Sequence, residues 1–170
     1  YTDAFFVAFK IPNFFRRLFA EGAFIQSFVP VLNDYKSNNP IELKKFIRYV
    51  QGNLALILFI ITFLGIIFSE NIINLFAPGF ETGSKRFLLA SDMLKITFPY
   101  LFFIALTAMS AGIFNTYNKF LLPAITPVLL NISLIFSALY LTNSFSDPIM
   151  ALAYGVLIAG ILQYLIQIPF

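Results

Sequence analysis

The chain contains no Cys and no His. Without thiols or imidazoles it lacks disulfides, thiol nucleophiles, imidazole bases and the commonest zinc ligands, so neither catalysis, nor a metal site, nor a bound cofactor is expected within it. Charge is scarce as well: 11% of residues are Asp, Glu, Lys or Arg, against about 25% in soluble domains. The net charge of +3 is scattered. No basic patch interleaved with exposed aromatics offers a surface to nucleic acid. No glycine-rich phosphate loop or carboxylate pair stands out, and Gly79 and Gly83 read as turn glycines.

What the sequence does have is apolar length. Hydrophobic residues make up 59% of the chain and the mean hydropathy is +0.85, which predicts an all-α, polytopic transmembrane helix bundle. Five runs, residues 4–32, 49–68, 96–114, 120–141 and 148–170, fit helices that cross about 30 Å of hydrocarbon at about 1.5 Å per residue. Residues 33–48 are the most hydrophilic segment, broken at Asn38-Asn39-Pro40. Residues 69–84 hold the turn Ala77-Pro78-Gly79-Phe80, preceded by a short amphipathic piece with Ile72, Ile73, Leu75 and Phe76 that suits an interface. Residues 115–119 and 142–147 read as short polar turns.

Within the spans, Pro12 predicts a kink in the first, and Pro123 with Pro127 a bend in the fourth. Gly155 and Ala159 have the spacing of a close helix contact. Lys36, Lys44, Lys45, Arg48 and Lys119 fall on one side of this scheme, against Lys85 and Arg86 on the other, which places residues 33–48 in the cytoplasm. The chain opens at Tyr1 without Met or a signal-peptide pattern and ends on Pro169-Phe170, so an internal piece of a longer protein is expected, with further helices of that protein as partners.

The polar exception is residues 10–26, KIPNFFRRLFAEGAFIQ, inside the first span. One Arg at the centre of a bilayer helix costs roughly 2.5–3.5 kcal/mol even on the lenient insertion scale, so adjacent arginines should face water. At 100° per residue, Lys10, Asn13, Arg17 and Glu21 share an arc of about 80°, with Arg16 about 60° outside it. That polar face suits a cavity wall, and its cations suit an anion. Alternatively, Arg17 and Glu21 form an i,i+4 pair and both arginines snorkel. Asn131 could contact substrate or hydrogen-bond across helices. Tyr100, Tyr117, Tyr140 and Tyr164 read as interface aromatics, and Asp92 with Lys95 as a pair or as snorkelling side chains. A five-span bundle with one cationic face matches a carrier of an anionic amphiphile better than a small-ion channel.

Four stretches carry a resemblance: TDAFFVAFKIPNFFRRLFAEGAFIQSFVPVL at residues 2–32, APGF at 77–80, LKITFPY at 94–100 and NTYNKFLLPAITPVLLNIS at 115–133. In order and spacing they resemble the MurJ (MviN) lipid II flippases of bacterial peptidoglycan synthesis, within the multidrug/oligosaccharidyl-lipid/polysaccharide exporter superfamily. The resemblance implies about fourteen helices in two lobes, of which residues 1–170 supply helices two to six of the N-terminal lobe. It implies lipid II as substrate, membrane lipids as surroundings, the bacterial inner membrane as location, and alternating access as mechanism. It puts a functional cavity arginine at Arg16 and a functional aspartate at Asp3, with Arg17 and Glu21 in the same motif. Arg16 therefore ranks first as a substrate-binding residue, ahead of Arg17, Glu21, Asp3, Lys10 and Asn13. The alternative is a related exporter of another lipid-linked saccharide or of drugs.

Overall fold

A computed structural model of the chain describes residues 2–20 and 22–168, apart from the side chains of residues 19, 20 and 23. Among the described residues all regular structure is helical: α1 (Thr2–Ala20), α2 (Ala23–Asn38), α3 (Pro40–Ile67), α4 (Ser69–Phe76), α5 (Lys85–Thr116), α6 (Leu121–Phe136) and α7 (Met150–Leu165). A π-helical turn, Ser137–Leu141, and a 3-10 turn, Thr142–Ser144, carry α6 onward. The expected all-α fold is what the chain adopts.

The bundle is arranged around α5. Its apolar window is 61% buried, against 22% for that of α3 and 11% for the span that includes α6. Ser84 caps its start, the hydroxyl oxygen accepting from the Phe87 N–H at 3.3 Å. Pro99 lies inside α5, and Asn118, at φ 58°, turns the chain away after its end. Hydroxyls tie two neighbours to it. Thr97 Oγ1 donates to the Ala8 carbonyl of α1 at 3.2 Å, and the Ser69 and Ser91 hydroxyls meet at 2.9 Å between α4 and α5.

Among the described residues, three helical stretches are long and apolar enough to cross a membrane: Pro40–Ile67, Lys85–Thr116 and Leu121–Ser144, with Met150–Leu165 a shorter apolar helix. Residues 4–32, read from the sequence as one kinked span, form parts of two helices instead. α1 runs through Pro12, and the chain resumes as α2 after Gly22. The reason is local: a Cβ at Gly22 would sit 2.5 Å from the Leu18 carbonyl oxygen, a backbone atom, so this path requires glycine. Farther on, α2 extends to Asn38 and α3 starts at Pro40, so the hydrophilic residues 33–48 are almost wholly helical, parted where Asn39-Pro40 predicts.

Two contacts sort the loops by end. Lys36 Nζ donates to the Thr116 carbonyl at 2.7 Å and lies 4.4 Å from the centre of the Tyr117 ring, which joins the end of α2 to the end of α5. Lys85 Nζ is 3.1 Å from Asp147, which joins the start of α5 to the loop after α6. This is the grouping that the loop cations predict.

Tyr100 departs from expectation. α5 begins well before residue 96, so Tyr100 falls in its interior; the residue is wholly buried, with its ring 6.4 Å from that of Phe9. Tyr117 and Tyr140 are exposed, as interface aromatics would be, while Tyr164 lines a cavity with Gln51.

Candidate substrate site

Four helices converge on a cleft of ≈ 180 Å³. Arg16 enters from α1 and Ile25 from α2; α5 contributes Thr107, Ala108, Ala111, Gly112 and Asn115, and α6 contributes Pro123, Thr126 and Pro127. Small residues on α5 make the space. Arg16 is half-buried, and its Nε donates to Asn13 Oδ1 at 2.8 Å, one turn back on the same helix. A guanidinium so placed presents a planar fork of donors, the geometry that matches phosphate oxygens two at a time.

The other sequence candidates scatter. Arg17, Lys10 and Asp3 are exposed, and none of them lines the cleft. Asp3 lies 13 residues before Arg16, which is about 20 Å along a helix. Glu21 lies outside the described residues. The helical arc grouped Arg17 with Lys10 and Asn13, yet Arg16 is the side chain at the cleft and the one bonded to Asn13. Residues i and i+3 are neighbours on a regular helix, so the bond agrees with the arc; what the arc does not contain is which face of α1 meets α2, α5 and α6.

Asn131 is exposed on α6 and makes no side-chain hydrogen bond among the described residues. The bond across helices is made two residues later, where Ser133 Oγ donates to the Gly155 carbonyl at 2.7 Å. Gly155 and Ala159 are buried as their spacing suggested, and a Cβ on Gly155 would stand 2.7 Å from Ser137 Oγ. Asp92 and Lys95 do pair, at 3.0 Å.

Thr126, on the α6 wall, has partners that the sequence reading missed. Gln163 Nε2 donates to the Thr126 carbonyl at 2.7 Å, and Gln167 Nε2 donates to Thr126 Oγ1 at 2.9 Å. Both glutamines are buried, at 1% and 3% exposure, and among the described residues neither Oε1 has a hydrogen-bond partner. An interhelical side-chain hydrogen bond in a membrane averages about 0.6 kcal/mol. The available signal was two amides four residues apart in an otherwise apolar run.

A larger cavity, ≈ 380 Å³, lies on another side of α5, lined by neutral side chains that include Gln51, Ser110, Tyr164 and Gln167. It carries no cation to match an anionic group, whereas a third cavity, ≈ 350 Å³, is bordered by Lys44 and Lys119 near the end of α5; the Arg16 cleft is the candidate site because it holds a residue of the polar stretch in α1.

The family model described as lipid II flippase MurJ matches residues 1–170. The chain belongs to the MurJ family. It is 49% identical, over 99% of its length, to a probable lipid II flippase MurJ from Buchnera aphidicola subsp. Schizaphis graminum, covering 33% of that protein. It is 42% identical to the lipid II flippase MurJ of Burkholderia cenocepacia, covering 99% of this chain and 33% of that protein. A solved structure of lipid II flippase MurJ in an inward closed conformation superposes with a TM-score of 0.81 at 37% identity, over 96% of this chain and 34% of that one. The chain thus spans about a third of the length of the MurJ relatives it matches. The MurJ likeness covers every helix that builds the Arg16 cleft.

Proposed function

We propose that this chain forms helices two to six of the N-terminal lobe of a lipid II flippase, which moves the undecaprenyl-pyrophosphate-linked precursor from the cytoplasmic to the periplasmic leaflet of a bacterial inner membrane. Support comes from membership of the MurJ family and from a guanidinium placed at a cleft between apolar helices. The observation that carries the reading is Arg16 at that cleft, held by Asn13.

In this reading Arg16 receives the pyrophosphate, whose oxygens accept from the guanidinium in surroundings that strengthen the attraction relative to bulk water. The sugar–peptide head group occupies the aqueous space between the lobes and the prenyl tail stays in lipid. Rocking of the lobes then exposes the head group on the other side. Lys10, Arg17 and Asp3, exposed on α1, and Glu21 after it are secondary candidates for the wall of that space.

Depleting the full-length protein in its own cell, then measuring the lipid II that an enzyme added outside the inner membrane can reach, tests the substrate. Accessible lipid II should fall on depletion and return with the wild-type protein. Unchanged accessibility would assign the protein another lipid-linked saccharide, or a drug.

A further inference from the structure

We infer that Gln163 and Gln167 are positioning residues that hold the α6 wall of the cleft at its working distance from Arg16. The inference rests on the cleft being where the anionic head group binds.

The α6 wall is soft where it meets the cleft. Pro127 brings no N–H to the helix ladder, so the Pro123 carbonyl lacks its usual partner in the turn that carries Thr126. Its contacts are one-sided too, since Ser133 is the one fully buried residue described in α6. The described side-chain bonds from α6 to its neighbours all run to the last helix and its end. Ser133 holds Gly155, while Gln163 and Gln167 hold Thr126, about 10 Å away along the helix. The end of α6 that faces Arg16 is therefore fixed by the two amides.

Both amides converge on one residue, through its carbonyl and its hydroxyl. That sets both the height and the rotation of the Thr126 turn, which a single bond could not do. Met matches Gln in length and shape while removing both the donor and the orphaned acceptor, so it separates positioning from packing.

The test uses the full-length protein with spin labels on cysteines at Phe14→Cys and Val128→Cys, both exposed positions, in a background otherwise free of cysteine. Distances across the cleft are read by electron double resonance, and lipid II translocation in reconstituted vesicles. Gln163→Met with Gln167→Met should broaden the α1–α6 distance distribution and slow translocation about tenfold, leaving the thermal midpoint in detergent unchanged. Thr126→Val removes the bond from Gln167 together with the one Thr126 donates to the Leu122 carbonyl, so adding Gln167→Met to Thr126→Val should slow translocation no further. A wild-type distance distribution with wild-type translocation would overturn the inference. So would a fall in thermal midpoint that accounts for the slowing, because the pair would then be structural. Arg16→Ala serves as the control: if it is slow while the glutamine variant is normal, positioning alone fails, and if it too is normal, the assignment of the cleft fails with it.

Discussion

Arg16 Nε donates to Asn13 Oδ1 at 2.8 Å, so the arginine at the cleft is aimed by a neutral side chain one turn away on the same helix. The bond occupies Nε–H and sets the plane of the guanidinium.

Replacing Asn13 with Ala leaves the charge of Arg16 but removes one of its anchors. A hydrogen bond to a charged group is worth about 1.5–3 kcal/mol when buried, and this half-buried one should lie at the low end. Lipid II translocation by the full-length Asn13→Ala protein should fall about tenfold without being abolished. An unchanged rate would show that Asn13 does not aim Arg16.

The α1–α2 junction depends on Gly22. Adding a methyl group places it 2.5 Å from the Leu18 carbonyl oxygen, and backbone cannot move aside as a side chain can. Gly22→Ala should destabilise the protein by about 1–3 kcal/mol, read as a lowered thermal midpoint in detergent. A wild-type midpoint would mean that the junction takes another path.

Close packing of α6 on α7 has a matched pair of variants. Gly155→Ala drives a Cβ toward Ser137, whose hydroxyl is buried without a partner among the described residues. Gly155→Ala should cost about 1–3 kcal/mol. Ser137→Ala should cost under about 0.5 kcal/mol, and the double variant should recover part of the loss. Strictly additive thermal shifts would contradict this contact.

The grouping of loops by Lys36–Thr116 and Lys85–Asp147 is open to chemical test. In the full-length protein, with any cysteine outside this chain replaced, single cysteines report on their own positions. A membrane-impermeant thiol reagent added outside should label Ser146→Cys and spare Lys44→Cys, given the excess of cations on the Lys44 side. The reverse pattern would invert the orientation.

Local rules made much of the fold legible. Apolar length located α3, α5, α6 and α7, and Asn39-Pro40 parted α2 from α3. The break at Gly22 was hidden because Pro12 was the stronger local signal, whereas the deciding contact is between Gly22 and a carbonyl four residues back. Tyr100 was misplaced because the polar start of α5 was not counted into the helix, which moved a core residue to an apparent end. At the site, periodicity on α1 favoured Arg17, and only the convergence of α1, α2, α5 and α6 singles out Arg16. Gln163 and Gln167 were passed over since their partner, Thr126, lies about 40 residues away in the chain and meets them only through packing.

The most direct measurement of the central claim compares Arg16→Ala with Arg17→Ala, each supplied to cells depleted of the wild-type protein and each present in the membrane at wild-type level. Arg16→Ala should fail to restore externally accessible lipid II, while Arg17→Ala, exposed on the same helix, should restore it to within about threefold of wild type. Full restoration by Arg16→Ala would contradict the claim that the cleft arginine binds the substrate.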